Sequence, residues 1–483
     1  MTILSAIIVV VYLALTIVLG TWVVKVNKNI QQFFVAKRQL SVGLIIPLLF
    51  SNIIGGGGVV GNASTGFSIG ISSAWSMIGM AIGTILCVLT VGKFYRVYGA
   101  KRNAMTVAEV YKYRFDDRCR LVVMFLVTVT FIIILSATAT SAAAILSPML
   151  GLDTTAVIWG VCALTIILSL TGGLKGIAWM NALHTTVMYV CTFIVLFAAI
   201  KAVGGISNVV SSVPPSYFRL DQPNIPTVIA WTMGSVFTMV TSSMVVSVIY
   251  GAKSNQVAYK GVSIGAILVI PFAVALSLIG VCGRAVIPDS PANSVLYNMA
   301  HYCGETYGGL ISMAVIAAIL SSNIPTVFVV STTVTRDLYK GYIRKNASEQ
   351  EELRFSRIFI AVLCVVTTII GINAKSILSL ITGAFQIVCV TGIVLIFGVY
   401  WKRVTNKAAF WSMLVGGGIA LIWYIAGNPM GIEPAWPGII VTTVVLVVMT
   451  LGSKEKVSQG YLDYKQIERE YDQEMKDANG GTG

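Results

Sequence analysis

The chain has 483 residues, 56% hydrophobic and 11% charged, with a mean hydropathy of +0.85. That excludes a soluble globular domain, because apolar runs of about 20 residues, each enough to cross a hydrocarbon core of roughly 30 Å, recur along nearly the whole length. The net charge of +14 does not indicate nucleic acid: the lysines and arginines lie in short loops between apolar runs, where they act as topology signals.

Thirteen spans are expected, at 3–24, 41–68, 71–95, 121–149, 153–174, 178–204, 228–250, 261–283, 308–338, 354–374, 376–399, 409–426 and 435–452. The first has no basic flank and no small-residue cleavage site, so it reads as a retained helix and not as a signal peptide. With the N-terminus outside and the C-terminus cytoplasmic, every Lys and Arg but Lys201, Arg219, Arg284 and Lys375 falls on the inner side. The protein is thus expected in the cell membrane, with the lipid bilayer as its solvent.

The second span carries FSNIIGGGGVVGNASTG at 50–66. Four consecutive glycines each cost a helix roughly 1 kcal/mol against alanine. In a bilayer, backbone released from helical pairing is tolerated where protein or a wet cavity satisfies it. The stretch therefore reads as a broken helix lining a site; a glycine patch for close helix packing is the alternative. The loop 106–120, TVAEVYKYRFDDRCR, mixes charge and aromatics and is expected along the inner surface. His184 lies in 178–204 and reads as a packing or capping residue.

Loop 205–227 holds four prolines and is expected outside. Span 228–250 is unusually polar without charge, with Trp231, Thr232, Ser235, Thr238, Thr241, Ser242 and Ser243. Loop 284–307 is the longest outer connection and could form a partial lid. Cys282 and Cys303 flank it, and single buried thiols are the preferred reading of all eight cysteines, which show no metal spacing.

Span 308–338 contains AAILSSNIP, with Ser321, Ser322 and a mid-span Pro325. Proline removes a backbone donor and loosens the carbonyls near Leu320 and Ser321. Those oxygens and the two hydroxyls make a neutral nest suited to a monovalent hard cation, whereas Mg²⁺ and Ca²⁺ want carboxylates. Serines bonding back to their own helix are the plainer alternative. The span centres hold essentially no Asp or Glu, so a carboxylate proton relay has little to work with. Triad, zinc and P-loop patterns are absent, and the chain is not expected to be an enzyme. Spans 41–68 and 228–250 lie five spans apart, the pattern of an inverted-repeat transporter with its site near the midplane. The membrane unit is expected over 1–452, with core repeats at about 41–204 and 228–399. In the tail, 453–483, a solvated helix at 461–475 is expected, followed by disorder. Oligomeric state has no signal here.

Several blocks in order carry a resemblance: FFVAKRQL (33–40), AEVYKYRF (108–115), TGGLKGIAWMNALHTTVM (171–188), GAKSNQVAYKG (251–261), AAILSSNIPTVFVVSTTVTRDLYKG (317–341) and FGVYWKRVTNKAA (397–409). The chain resembles a bacterial-type member of the sodium:solute symporter family, which includes proline, sugar, pantothenate, sialic-acid and choline transporters. The resemblance implies an all-α, leucine-transporter-type fold: a ten-helix core of two inverted five-helix repeats with helices added at both ends. It implies uptake of a small organic solute by alternating access with Na⁺ as the coupling ion. It places sodium at the Ser51, Ile54 and Ala318 carbonyls and the Ser321 and Ser322 hydroxyls. Asn181 stands where the family usually has aspartate, and Ile324 and Pro325 stand where some members have hydroxyls, which implies one Na⁺ per cycle.

For the solute, the candidates are Gly55, Gly56, Gly57 and Gly58 at the break, Trp75, Ser76 and Met80 from 71–95, Trp231, Ser235 and Thr238 from 228–250, and Thr382 and Gln386. Bare glycine amides at a half-helix N-terminus suit a carboxylate, so an amino acid or organic acid is the leading reading. Trp75 and Trp231 around a quaternary amine give a choline-like alternative. A proton-coupled or uncoupled carrier, or a sensor of the same fold, is the remaining alternative.

Overall fold

The structure is a computed structural model and describes residues 11, 12, 14–16, 18, 39–171, 174–373 and 377–480. The expected span 3–24 and loop 25–40 lie almost wholly outside the described residues. Among the described residues the regular secondary structure is helical apart from one parallel bridge between Leu40 and Ala252.

The helices are α1 Val42–Ile53, α2 Gly56–Ile69, α3 Trp75–Thr90, α4 Gly92–Arg102, α5 Val107–Arg114, α6 Asp117–Leu150, α7 Thr154–Thr171, α8 Leu174–Val203 and α9 Ile206–Ser212. There follow α10 Ile225–Val240, α11 Ser243–Gly251, α12 Asn255–Ile267, α13 Val269–Val286, α14 Val295–Cys303 and α15 Glu305–Thr333. The last are α16 Glu349–Ile372, α17 Ile377–Tyr400, α18 Asn406–Ile425, α19 Ala435–Leu451 and α20 Gln459–Gly480. Among the described residues, nine helical spans are long and apolar enough to cross a membrane, up to ten if the bent α1–α2 pair is one span, with two shorter apolar helices besides.

Local chemistry sets the helix ends. Thr106 and Glu109 form a reciprocal capping box on α5, as Ser348 and Glu351 do on α16. The side chains of Asp116, Asn224, Ser254 and Thr405 cap α6, α10, α12 and α18. Glycine permits the closest crossings. A methyl group on Gly83 would lie 2.4 Å from the Val236 carbonyl oxygen, and one on Gly280 2.2 Å from that of Ala63. Thus α3 packs backbone to backbone on α10, and α13 on α2.

Both core repeats open with a broken helix. The first bends by 58° between α1 and α2. The second parts at Thr241 and Ser242, between α10 and α11. The chain just before α1 is tied to the chain just after α11: Leu40 donates its N–H to the Gly251 carbonyl at 2.9 Å, and Lys253 donates to the Leu40 carbonyl at 3.2 Å.

Three expectations change. Pro325 does not interrupt α15, which runs through it and continues as a π-helical stretch, Val334–Ile343. Span 261–283 starts earlier than expected, as α12, and runs on as α13 past a single interrupting residue, Leu268. The tail helix is not merely solvated: Tyr464, Ile467 and Tyr471 are buried. Its acids meet the basic face of α4, with Lys93 2.8 Å from Asp472 and Lys101 paired with Glu474. All eight cysteines are free thiols. His184 is buried and bonded to the Tyr12 hydroxyl, a packing role.

Candidate functional site

The two breaks face one cavity. A helix of ordinary geometry leaves its last carbonyls and first amides without intrahelical partners. The last bond at the end of α1 runs from the Ile54 N–H to the Phe50 carbonyl, so the carbonyls beyond Phe50 are free of the ladder. At the start of α2, Gly56, Gly57 and Gly58 present their N–H groups. At the second break, Ser242 and Ser243 begin α11, whose first ladder bond is Val246 N–H to the Ser242 carbonyl at 2.9 Å. Two helix N-termini and one freed C-terminus thus bracket the same space.

That space is about 780 Å³, the open solvent at its mouth included. Its walls come from α1, α2, α3, α6, α10, α11, α15 and α17, and among the described residues no charged side chain lines it. Phe131, Ile134, Met80, Ile381, Phe385 and Val388 make much of the apolar wall. The polar groups are Asn52, Thr130, Thr138, Thr238, Thr241, Ser242, Ser322, Asn323 and Thr326. The Asn52 and Asn323 carboxamide oxygens are buried there without a hydrogen-bond partner. The Thr238 hydroxyl is engaged, donating to the Phe385 carbonyl at 2.6 Å.

The expected ion ligands converge on α15. The Ala318 carbonyl accepts from Ser321 at 3.1 Å and from Ser322 at 2.8 Å, so those three oxygens form one cluster. The first break abuts it: a methyl group on Gly55 would lie 3.2 Å from the Ser322 hydroxyl oxygen. Ser51 and Ile54 are fully buried in α1 and at its end, and the Ser51 hydroxyl donates to the Leu48 carbonyl at 3.2 Å. Helix α8 binds the two sides together. Thr185 donates to the Pro47 carbonyl at 2.9 Å, and the Asn181 amide donates to the Ser321 carbonyl at 3.3 Å. This donor set is buried, neutral and all oxygen, which fits a monovalent hard cation.

Of the expected solute residues, Gly55, Gly57, Gly58, Met80 and Thr238 line the cavity. Gly56 instead packs on α15, where a methyl group would lie 2.4 Å from the Ile319 side chain. Trp75 sits at the start of α3, its indole donating to the Leu220 carbonyl at 3.0 Å in the 205–227 connection; Ser76 beside it does not line the cavity. Ser235 packs against Gly79 of α3. Trp231 and Gln386 are turned away, both donating to Glu433, at 3.2 and 2.8 Å. The α6 wall, from Val127 to Thr138, and the amides of Asn52 and Asn323 were not anticipated. Nothing marks a face on α6, which is apolar nearly all round.

A family model described as the sodium:solute symporter family matches residues 33–416. The sodium/proline symporter of Escherichia coli strain K12 is 23% identical over 467 residues, covering 92% of both chains. The high-affinity proline transporter PutP of Bacillus subtilis strain 168 is 23% identical over 474 residues, covering 93% of this chain and 99% of its own. A solved Na⁺-coupled sialic acid symporter, in a substrate-bound outward-open state, superposes with a TM-score of 0.78 at 18% identity, over 94% of this chain and 98% of its own. That structural likeness establishes the fold. The expected all-α five-plus-five architecture and the absence of an enzymatic role follow from these matches. The chain belongs to the sodium:solute symporter family: it is a multi-pass membrane carrier that couples the uptake of a solute to Na⁺.

Proposed function

We propose that this carrier takes up a small zwitterionic amino acid of about the size of proline, with one Na⁺ per cycle. The observation that carries the reading is the polarity of the cavity. Amide N–H groups at two helix N-termini suit a carboxylate. The unpartnered oxygens of Asn52 and Asn323 suit an ammonium or secondary amine. Apolar walls from α3, α6 and α17 suit a compact aliphatic body. The relatives named as proline symporters have a solute of this class.

Sodium is assigned to the Ser51, Ile54 and Ala318 carbonyls and the Ser321 and Ser322 hydroxyls. The Ala318–Ser321–Ser322 cluster against the Gly55 break supports this placement. The N-terminus is assigned to the outside and the C-terminus to the cytoplasm, from the distribution of Lys and Arg. Gly56, Trp75, Ser76, Trp231, Ser235 and Gln386 are left out of the proposed solute shell.

The test is uptake of L-proline by proteoliposomes under an inward Na⁺ gradient, with choline replacing Na⁺ at constant pH as control. A thermal-shift screen of amino acids, organic acids, betaine and choline, each with and without Na⁺, runs beside it. Sodium-dependent stabilisation by amino acids is expected. Stabilisation by choline or betaine alone would reject the amino-acid reading in favour of a quaternary amine held by Phe131 and Phe385, and uptake unchanged in choline medium would reject sodium coupling.

A further inference from the structure

The α18–α19 hairpin lies outside the ten-helix core, yet its connection reaches into it. Glu433, in that connection, accepts from the Trp231 indole of α10 at 3.2 Å and from the Gln386 amide of α17 at 2.8 Å. Gln386 returns the contact, its Oε1 accepting the Ala435 N–H at 2.9 Å. The connection is fixed at both ends: Trp423 donates to the Ile432 carbonyl at 2.9 Å, and Trp436 to the Pro226 carbonyl at 3.3 Å, at the start of α10. Gln386 is fully buried and Trp231 is 9% exposed. Gly234 lets α10 come up to Gln386, where a methyl group would lie 3.0 Å from its Cγ.

The same two helices wall the cavity. Thr238 and Met239 of α10 and Ile381, Phe385 and Val388 of α17 all line it. Phe385 is the neighbour of Gln386 in sequence, and its carbonyl is held by Thr238. Hydrogen bonds to an ionised acceptor are the strong kind, about twice a neutral pair. We infer that Glu433 is a positioning residue for transport: one carboxylate from a peripheral hairpin clasps α17 to α10 and so sets the position of the cavity wall. Movement of α17 away from α10 during the cycle must break this clasp. This goes beyond the solute reading and does not depend on which solute is carried.

A thiol reporter in the cavity tests it. Ile381→Cys faces the break, since the Ile381 side chain lies 2.7 Å from where a Gly57 methyl would be. The purified protein in lipid nanodiscs is labelled with N-ethylmaleimide, in Na⁺ and in choline, with the chain lacking the reporter as background for its native thiols. Glu433→Ala should speed reporter labelling by about tenfold, the size expected for losing a bond to a charged acceptor. Glu433→Gln keeps an acceptor oxygen and should speed it less. Trp231→Phe removes the indole donor and should act in the same direction, adding little once Glu433 is already Ala. If Glu433→Ala does not yield folded protein, the Gln and Phe variants carry the same comparison. Labelling rates unchanged in both media, or full additivity between Trp231→Phe and Glu433→Ala, would overturn the clasp. Failure of L-proline uptake in the unsubstituted protein would reject the amino-acid reading alone, because labelling needs no solute.

Discussion

Asn181 donates its side-chain amide to the Ser321 carbonyl at 3.3 Å. Ser321 lies four residues before Pro325, so its carbonyl is the one a proline leaves without a helical donor. Here α8 supplies a hydrogen to that carbonyl, and α15 runs on through Pro325. Asparagine can do this and an ionised aspartate cannot. Asn181→Ala should therefore lower stability by about 1–3 kcal/mol, the cost of a buried acceptor left unsatisfied. It should leave the Na⁺ dependence of uptake with a Hill coefficient of about 1, since cooperativity is bounded by the number of sites. A wild-type coefficient near two that Asn181→Ala abolishes would instead make this residue part of a second ion site.

The hydroxyls of Ser321 and Ser322 both rest on the Ala318 carbonyl. Removing both takes two of the proposed ligands and leaves the fold of α15 intact, because their hydrogen bonds to carbonyls are local to the helix and the one contact beyond it, Ser321 to the Met188 sulfur, is long at 3.8 Å. Ser321→Ala with Ser322→Ala should raise the half-saturating Na⁺ concentration by about 10- to 100-fold, as the loss of hydrogen-bond-scale interactions with a charge predicts. The half-saturating solute concentration, read at saturating Na⁺, should move far less. Proportional changes in both constants would point to misfolding and away from an ion site.

Asn52 and Asn323 line the cavity, and their buried amide oxygens have no hydrogen-bond partner. If they receive the solute ammonium, each replacement by leucine should raise the KM for L-proline by about tenfold or more, while leaving the Na⁺ constant nearly unchanged. The same replacement should weaken binding of an amino acid more than that of the acid lacking its amine. Equal loss for both ligands would place these amides outside the solute shell.

How far the site was legible depended on the physical signal. The first break was readable because Gly55, Gly56, Gly57 and Gly58 destabilise a helix whatever surrounds them. The second was visible only as polarity: Thr241 and Ser242 are tolerated in helices, and it is tertiary packing that parts the chain there. The face a tryptophan takes is not written locally. Trp75 and Trp231 both have indole N–H groups that need acceptors, and Leu220 and Glu433 supply them from connections far along the chain. The wall from α6 was hidden because a helix buried on most sides shows no apolar stripe. The tail hides its docking for a related reason: its charge is high, but Tyr464 and Tyr471 lie on one face and find α4 and Asn255.

That docked tail should respond to pH in one direction. Burial alone would raise the Glu468 carboxyl, but bonds from Lys465 and Tyr464 and the charge of Lys93 outweigh it and hold it below the usual 4.5. A carboxyl depressed in the folded state stabilises that state above its ordinary value, and the contribution is lost as pH falls through the lowered one. Lys93 is shifted the other way: burial opposes its charge, yet Asp472 and Glu468 raise it above 10.5, so its contribution persists to high pH. Lys465 and Tyr464 belong to α20 itself, so across to α4 it is the Lys93 pairs with Glu468 and Asp472 that carry the dependence: docking should hold through neutral pH and weaken on acidification as those carboxylates protonate. Hydrogen exchange across residues 459–477 checks this. Protection there should fall in acid while α15 stays protected. Raising salt at neutral pH should weaken it less, because screening acts on the exposed Lys93 and Lys101 pairs and not on the Tyr464 contact with Phe94, whose ring centres lie 4.8 Å apart. Protection lost fully in salt alone would mean that charge, and not the aromatic contact, holds the tail in place.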